Sequence, residues 1–195
     1  LPDSLFVGEI SLDGNIRPVR GVISHVEVAK HQKLQRIFVP KDNADQACLV
    51  EGIDVISVTN LKELVSMLTN NKTIQPHSPG GSERSPVKYP VDFSDIYGQQ
   101  HAKRALEIAV AGNHNILMTG PPGAGKTMMA RALLSILPDP TKDEIIEITK
   151  LFSLAGELTD RVASGRPFRS PHHTSSNIAL IGGGKNPKPG EISLA

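Results

Sequence analysis

The segment Gly120-Pro121-Pro122-Gly123-Ala124-Gly125-Lys126-Thr127 is the part of this sequence that decides the fold. It matches the pattern G-x-x-x-x-G-K-[S/T], whose glycines let consecutive backbone N–H groups converge on phosphate oxygens. The lysine of this pattern reaches the β- and γ-phosphates, and the hydroxyl of the last residue binds Mg²⁺. The segment therefore predicts a phosphate-binding loop with Lys126 on the phosphates and Thr127 on the metal.

The residues on either side of the loop supply the elements that this motif requires. Residues 115–118 are a short apolar run that predicts a buried parallel strand, and residues 128–137 have apolar side chains at helical spacing until Pro138. The alternative is a glycine turn that binds nothing, but such a turn has no need of Lys-Thr at a helix start. We therefore expect the loop and the adjacent Met128 to bind ATP with Mg²⁺.

Composition limits the class of protein. The 195 residues include 21 basic and 20 acidic side chains, so the net charge of +1 creates no global field for nucleic acid. The single cysteine, Cys48, excludes a disulfide scaffold and is expected to be a small core residue. No apolar run approaches the roughly 20 residues of a membrane span, and the first residues do not have the pattern of a signal peptide. We expect a cytoplasmic location and no membrane partner.

Three segments differ in their pattern. Residues 1–70 alternate β-rich and helical runs and predict a compact α/β unit, with a hairpin at Asp13-Gly14, helices over 22–34, 42–50 and 60–68, and strands over 36–39 and 53–58. Residues 71–90 are rich in Pro, Gly and Ser and predict an exposed, mobile linker. Residues 91–195 are the predicted nucleotide-binding domain, with helices over 99–112 and 143–154. The missing initiating Met leads us to expect a piece of a longer protein.

Residues 1–70 resemble the C-terminal half of the Lon-protease-like fold, which belongs to the ribosomal S5 domain 2-like group. The motifs that carry the resemblance are Gly8-Glu9-Ile10, Arg17-Pro18-Val19 with Gly21, and Ile37-Phe38-Val39-Pro40. In proteolytic members a catalytic lysine follows the stretch that Arg20-Gly21-Val22 matches. Ile23 stands at that position and has no amine to activate a serine, and the serine-bearing half of the domain is absent. The resemblance thus implies a partial, non-proteolytic Lon-like domain.

Residues 91–195 resemble AAA+ ATPases. Asp95-Ile96-Tyr97-Gly98-Gln99 is similar to the segment of those proteins that contacts adenine, which implies that Ile96, Tyr97 and Gly98 lie near the base; the alternative is that Ile96 and Tyr97 fill the core. Residues 166–174 (RPFRSPHHT) and 182–195 (GGGKNPKPGEISLA) are similar to the Mg-chelatase-like AAA+ family, in particular its bacterial competence branch of the ComM/YifB type. That branch also has a Lon-like domain before its ATPase module.

This resemblance has implications for fold and assembly. It implies an α/β fold in which half of a Lon-like domain precedes the P-loop front half of a three-layer αβα AAA+ core. It also implies a homo-oligomeric ring, a hexamer, that uses ATP for helicase-type branch migration of DNA in competence and recombination. In related ATPases the glycine-rich tail projects toward the pore, which implies that Lys185 and Lys188 contact DNA phosphates. A solvated loop without a ligand is the alternative.

Other residues limit what the sequence can do. His172-His173 lacks an acidic or cysteine partner at ligand spacing, so we expect a structural or hydrogen-bonding role instead of a metal site. No apolar run ending in Asp-Glu follows the loop, and we expect a hydrolytic centre without its Walker B acid and arginine finger. Two alternatives to a DNA motor stay open: a motor subunit for metal insertion into a porphyrin, against which the Lon-like segment argues, and a module that binds nucleotide without hydrolysis.

Overall fold

The computed structural model describes residues 3–69, 74–78, 89–158, 162–185 and 187–195. Contacts within the chain divide it into two compact units. The first contains Leu1–Ser85, Thr141–Ser164 and Pro171–Ala195, and the second contains Pro86–Pro140 and Gly165–Ser170. The domain boundaries predicted at residues 70 and 90 stay a prediction.

The first unit is built on a parallel sheet. Its secondary structure comprises β1 (Ser4–Phe6), β2 (Glu9–Ile10), β3 (Ile16–Arg17), α1 (Val22–His31), β4 (Arg36–Pro40), a 3₁₀ turn (Lys41–Asn43), α2 (Ala44–Ala47), β5 (Asp54–Val58) and α3 (Leu61–Thr69). The strand order is β1-β4-β5, with Leu5 opposite Ile37 and Ile37 opposite Val55. Helices between parallel strands are the expected crossover, so the predicted α/β fold is confirmed.

The alternation of side chains along β4 places a core on each face of the sheet. Ile37 and Val39 pack with the buried residues of α1 and α2, whereas Phe38 packs with Ile56 and Val58 beneath α3. A strand covered on both faces explains the continuous apolar run of β4. Cys48 is only partly buried at the margin of the first core, not inside it as predicted, and its burial raises the pKa of the thiol.

Short elements complete this unit. β2 and β3 form the predicted hairpin, with Ile10 opposite Ile16. Within the predicted linker, the described residues 74–78 lie along the unit: Ile74 packs on the Phe38 core, and the N–H of His77 donates to the carbonyl of Val55 at 2.7 Å. Residues 71–73 and 79–88 of that prediction lie outside the described residues.

Three later elements belong to the first unit. They are α6 (Lys142–Ala155), α7 (Asn177–Ile181) and a hairpin of β6 (Gly182–Gly183) with β7 (Lys188–Pro189). Helix α6 begins with a capping box in which Thr141 and Glu144 accept hydrogen bonds from each other's backbone N–H, and it ends at Gly156 in the left-handed conformation. These signals define the predicted helix closely, extending it by one residue at each end.

The second unit carries the phosphate loop. It contains a 3₁₀ turn (Phe93–Asp95), α4 (Gln100–Ala111), α5 (Lys126–Ala132) and a 3₁₀ segment (Leu133–Ile136) that continues α5. The predicted strand over residues 115–118 is wrong: in the described residues no neighbouring strand pairs with it, and Leu117 is 88% exposed. A strand needs a partner for its backbone N–H and C=O groups, and the apolar pattern alone does not supply one.

Candidate phosphate-binding loop

The glycines of the loop have the backbone conformations that the motif requires. Gly123 and Gly125 both have φ of +82°, in the left-handed region that side chains disfavour. A Cβ atom at either position would meet no protein atom within 4 Å. The need for glycine therefore arises from the backbone conformation, and the space beside the loop is open.

Lys126 closes the loop on itself. Its Nζ donates hydrogen bonds to the carbonyl oxygens of Gly120 and Pro121, at 2.8 and 2.7 Å. These contacts join the start of α5 to the start of the loop across the intervening five residues. An ammonium group has three donors, so one remains for a phosphate oxygen. Binding of Lys126 to the β- and γ-phosphates stays a prediction.

The first turn of α5 adds further donors. Gly125 is the residue before the helix, and its carbonyl accepts the first intrahelical hydrogen bond from the N–H of Met129 at 2.9 Å. The N–H groups of Lys126, Thr127 and Met128 precede that bond and have no acceptor within the helix. Thr127 and Met128 are both exposed. The hydroxyl of Thr127 is thus accessible to a hydrated metal ion beside the loop.

The residues predicted to lie near the base divide into buried and exposed members. Ile96 is 4% exposed and packs in a core with Leu106 and Met129, so filling the core is the correct description for Ile96. Tyr97 is 91% exposed and does not fill the core. Gly98 follows it with φ of +68°. A contact of Tyr97 and Gly98 with adenine stays a prediction.

A short acidic motif orders the chain before this segment. Asp92 accepts a hydrogen bond from the N–H of Ser94, and Asp95 accepts one from the N–H of Asp92. Hydrogen bonds from Ser94 hold the pKa of Asp92 below its usual value. The N–H of Phe93 donates to Oγ of Ser135, which follows α5. Sequence reasoning missed the capping box formed by Asp92 and Asp95, although the Asp-x-x-Asp spacing is its signal.

The histidine pair makes local contacts. The rings of His172 and His173 lie 4.2 Å apart, and Nδ1 of His172 lies 2.7 Å from Oγ1 of Thr174. Both histidines are exposed. Across the described ranges, no group of three metal-ligating side chains is found. The observed contact is a hydrogen bond, as a structural role requires.

Lys185 and Lys188 are presented by a hairpin that sequence reasoning did not predict. Gly183 lies opposite Lys188 in the β6–β7 pair, and Lys185 lies in the turn. Both lysines are exposed. A Cβ on Gly182 would lie 2.6 Å from the carbonyl oxygen of Lys188, and one on Gly190 would lie 2.4 Å from the nitrogen of Gly182. Glycines spaced this way around Lys-x-Pro are the signal that could have revealed the close approach of the two strands.

None of the helices in the described part of the chain is long and apolar enough to cross a membrane. This observation concerns α1 to α7 only.

Comparisons with known proteins agree with the motifs. A family profile described as magnesium chelatase, subunit ChlI, matches residues 92–195, and one described as subunit ChlI of Mg-chelatase matches residues 2–43. Competence protein ComM of Haemophilus influenzae is 44% identical over 195 residues, which cover 97% of this chain and 38% of that protein. The protein YifB of Escherichia coli is 40% identical over 190 residues, covering 97% and 37%.

The N-terminal segment has a second similarity. Lon protease 2 of Bacillus subtilis is 37% identical over 71 residues, which cover 35% of this chain and 13% of that protein.

The chain spans less than two fifths of the length of the ComM and YifB relatives. Since a profile covers more than half of its residues, the chain, which is similar to ComM and YifB, belongs to the magnesium chelatase subunit ChlI family.

Proposed function

We propose that this chain is the nucleotide-binding part of an AAA+ ATPase motor. The observation that carries the proposal is the closed loop. Lys126, the first residue of α5, donates hydrogen bonds to the carbonyl oxygens of Gly120 and Pro121 at the start of the loop. Membership of the magnesium chelatase subunit ChlI family supports an ATPase-type function.

Each part of the loop has a role in holding Mg·ATP, which supplies the phosphoanhydride bond whose hydrolysis drives the motor. The backbone N–H groups around Gly123 to Lys126 bind phosphate oxygens, and the ammonium of Lys126 neutralises charge on the β- and γ-phosphates. The hydroxyl of Thr127 binds Mg²⁺. Tyr97 and Gly98 contact the base. Hydrolysis requires an acidic Walker B residue and an arginine finger, which we assign to the longer protein.

We further propose that the longer protein is a cytoplasmic ring, a hexamer, that moves DNA in competence-related recombination. The name of the ComM relative supports the connection with competence. The exposed lysines of the β6–β7 hairpin, Lys185 and Lys188, are suited to phosphate contacts because they add positive charge without burying it. Replacing both by Gln should lower DNA stimulation of ATP hydrolysis in the longer protein, and unchanged stimulation would refute this role.

A second candidate is the motor subunit of a metal chelatase. The description of the matching family favours it. The similarity of the N-terminal segment to Lon proteases argues for the DNA motor, because in the resemblance described above that segment accompanies the competence branch. A metal-insertion assay with chelatase partner subunits separates the two: insertion that depends on this protein would favour the chelatase.

The first experiment is calorimetric titration of this chain with Mg·ATP, together with a phosphate-release assay. We expect binding without turnover. Lys126→Ala should weaken binding about tenfold or more, because it removes a charge-assisted hydrogen bond to the phosphates. Lys62→Ala, at an exposed lysine on α3, is the matched control and should bind normally. Equal affinity in the two variants would refute the assignment of the loop, and turnover by the wild-type chain would refute a module that only binds.

A further inference from the structure

Residues 74–78, here called the strap, are attached to the first unit by their main chain and by their side chains. The N–H of His77 donates to the carbonyl of Val55 at 2.7 Å. Val55 belongs to β5, the last strand in the order β1-β4-β5, so the strap covers part of an edge of the sheet. Ile74, at the start of the strap, packs on the core beneath α3. The strap therefore contacts the unit at two points three residues apart.

The imidazole of His77 adds a polar contact with α2. Its Nε2 lies 2.9 Å from Oδ1 of Asp45, and each of the two side chains is 23% exposed. A carboxylate only accepts hydrogen bonds, so Nε2 carries the proton that it donates. Partial burial protects this contact from much of the screening that weakens exposed ion pairs, such as that of Lys142 with Glu51. The side chain of His77 thus holds the strap against α2.

The strap also covers one side of the only thiol in the sequence. Sγ of Cys48 donates a weak hydrogen bond to the carbonyl oxygen of His77 at 3.6 Å. Burial, with a smaller effect from the charge of Asp45, raises the pKa of this thiol. Opening of the strap would remove the cover from the sulfur and part of the burial that keeps the thiol protonated. The reactivity of Cys48 therefore depends on the position of the strap.

We propose that the strap is a detachable cover, which opens and closes as one piece and in its closed position restrains the reactivity of Cys48. A short segment held by one apolar side chain, one main-chain hydrogen bond and one polar pair opens at a much lower free-energy cost than global unfolding. Pro76 fixes its own φ and disfavours a helical conformation at Gln75, which limits separate movement of the two ends. Since coupling is reciprocal, a group attached to Cys48 must in turn hold the strap open.

The test measures two properties of the whole chain, the rate at which Cys48 reacts with dithionitrobenzoate and the hydrogen exchange of the amide of residue 77. The single cysteine makes the thiol reaction specific. His77→Ala keeps the main-chain bond to Val55 but removes the imidazole. It should accelerate both processes about fivefold, the factor that corresponds to a typical net hydrogen bond. Gln75→Ala, at an exposed residue of the strap, is the matched control and should leave both rates unchanged.

A second variant tests whether the strap moves as one piece. Ile74→Ala leaves the contacts of His77 and Asp45 in place, yet it should accelerate the reaction of Cys48 and the exchange of the residue 77 amide by the same factor. Unchanged exchange in β4 shows that the unit itself stays folded. Acceleration of only one of the two processes, or of neither, would overturn the proposal.

The reciprocal experiment starts from wild-type protein in which Cys48 carries thionitrobenzoate as a mixed disulfide. The bulky group occupies the space beneath the carbonyl of His77, so the amide of this residue should lose its protection from exchange. Reduction of the mixed disulfide should restore the protection. If the amide of His77 stays protected in the labelled protein, the strap does not cover the thiol and the proposal fails. None of these measurements involves nucleotide, so their outcome is independent of the proposed function.

Discussion

The backbone N–H of Gly21 donates a hydrogen bond to Oγ of Ser153, a residue 132 positions later in the chain. Gly21 has φ of +67°, and a Cβ placed on it would lie 2.5 Å from Cδ2 of Leu154. The left-handed conformation favours glycine at this position, and a side chain there would also displace the end of the Leu154 side chain. The contact explains why a helix from the C-terminal half of the chain belongs to the first unit.

Gly21→Ala should destabilise the first unit more than Gly14→Ala does. Both glycines have positive φ, but a Cβ on Gly14 would meet no atom within 4 Å. We expect a cost of about 1 kcal/mol for each variant from backbone conformation, and about 0.5–1.5 kcal/mol more for Gly21→Ala because the Leu154 side chain must leave its present rotamer. Urea unfolding of both variants measures the difference. Equal losses would mean that α6 moves aside without cost.

Gly190→Ala should separate the strands of the β6–β7 hairpin. Gly190 is buried, and its Cβ would lie 2.4 Å from the nitrogen of Gly182 and 2.5 Å from the carbonyl oxygen of Leu180, both backbone atoms that cannot rotate away. Ser193→Ala, at an exposed residue beyond the hairpin, is the control. Hydrogen exchange of residues 182–189 should accelerate only in the first variant. Normal protection there would contradict the close approach.

Thr127→Ala should make nucleotide binding insensitive to Mg²⁺. If the hydroxyl of Thr127 binds the metal, its loss should weaken ATP affinity about tenfold with Mg²⁺ present and leave it unchanged in EDTA. Thr127→Ser retains the hydroxyl and should preserve the Mg²⁺ dependence. Calorimetric titrations in both buffers provide the comparison. A Thr127→Ala variant with normal Mg²⁺ dependence would exclude this residue as a ligand.

Tyr97→Ala should affect binding and not stability, whereas Ile96→Ala should do the reverse. Tyr97 is 91% exposed, so we expect its replacement to change the free energy of unfolding by less than about 0.5 kcal/mol. Ile96→Ala, which truncates a buried side chain, should lower the free energy of unfolding by about 2–5 kcal/mol. Tyr97→Ala should weaken binding of ATP but not of inorganic tripolyphosphate. Loss of affinity for both ligands would argue against a contact with the base.

Asp13 should make the hairpin between β2 and β3 sensitive to acid. Hydrogen bonds from the hydroxyl of Ser11 and from the backbone and side chain of Asn15 lower the pKa of Asp13 from 3.8 to about 2. Because the folded pKa is lowered, the stabilisation is fully present above the unfolded value and is lost as the pH falls through about 4 to about 2. An NMR titration of the carboxyl carbon should show this pKa, and Asp13→Asn should remove the acid-dependent shift of the Asn15 amide.

The sequence predicts those elements whose signals are local. The strands around Ile37 and Val55, the helix that begins at Val22 and the capped helix that begins after Thr141 all agree with their apolar spacing and cap residues. Nothing local could reveal that Ser153 bonds Gly21, because that contact depends on the whole tertiary arrangement. At Leu117 a local signal was misleading. Its apolar neighbours predict a strand, but a strand forms only where a second strand lies beside it to pair with.

The candidate site was predictable to a similar extent. The left-handed conformations of Gly123 and Gly125 follow from a motif of eight residues, whereas the hydrogen bonds of Lys126 to the carbonyls of Gly120 and Pro121 were not predicted. The exposure of Tyr97 could not be predicted, because the adjacent Ile96 has the same apolar character and is buried. The backbone is extended at Ile96, where neighbouring side chains point to opposite sides, so only one of the two faces the core.

The attachment of α6 to α1 has a consequence for the order of folding during synthesis. At roughly 5–20 residues per second, the ribosome needs roughly 7–26 s to add the 132 residues that separate Ser153 from Gly21. In the later part of this interval, once β5 has been synthesised, the nascent chain contains α1 and the parallel sheet but not the helix that covers them. The side of the core that Ile146 later covers therefore stays open to chaperones and to other nascent chains until α6 has been synthesised.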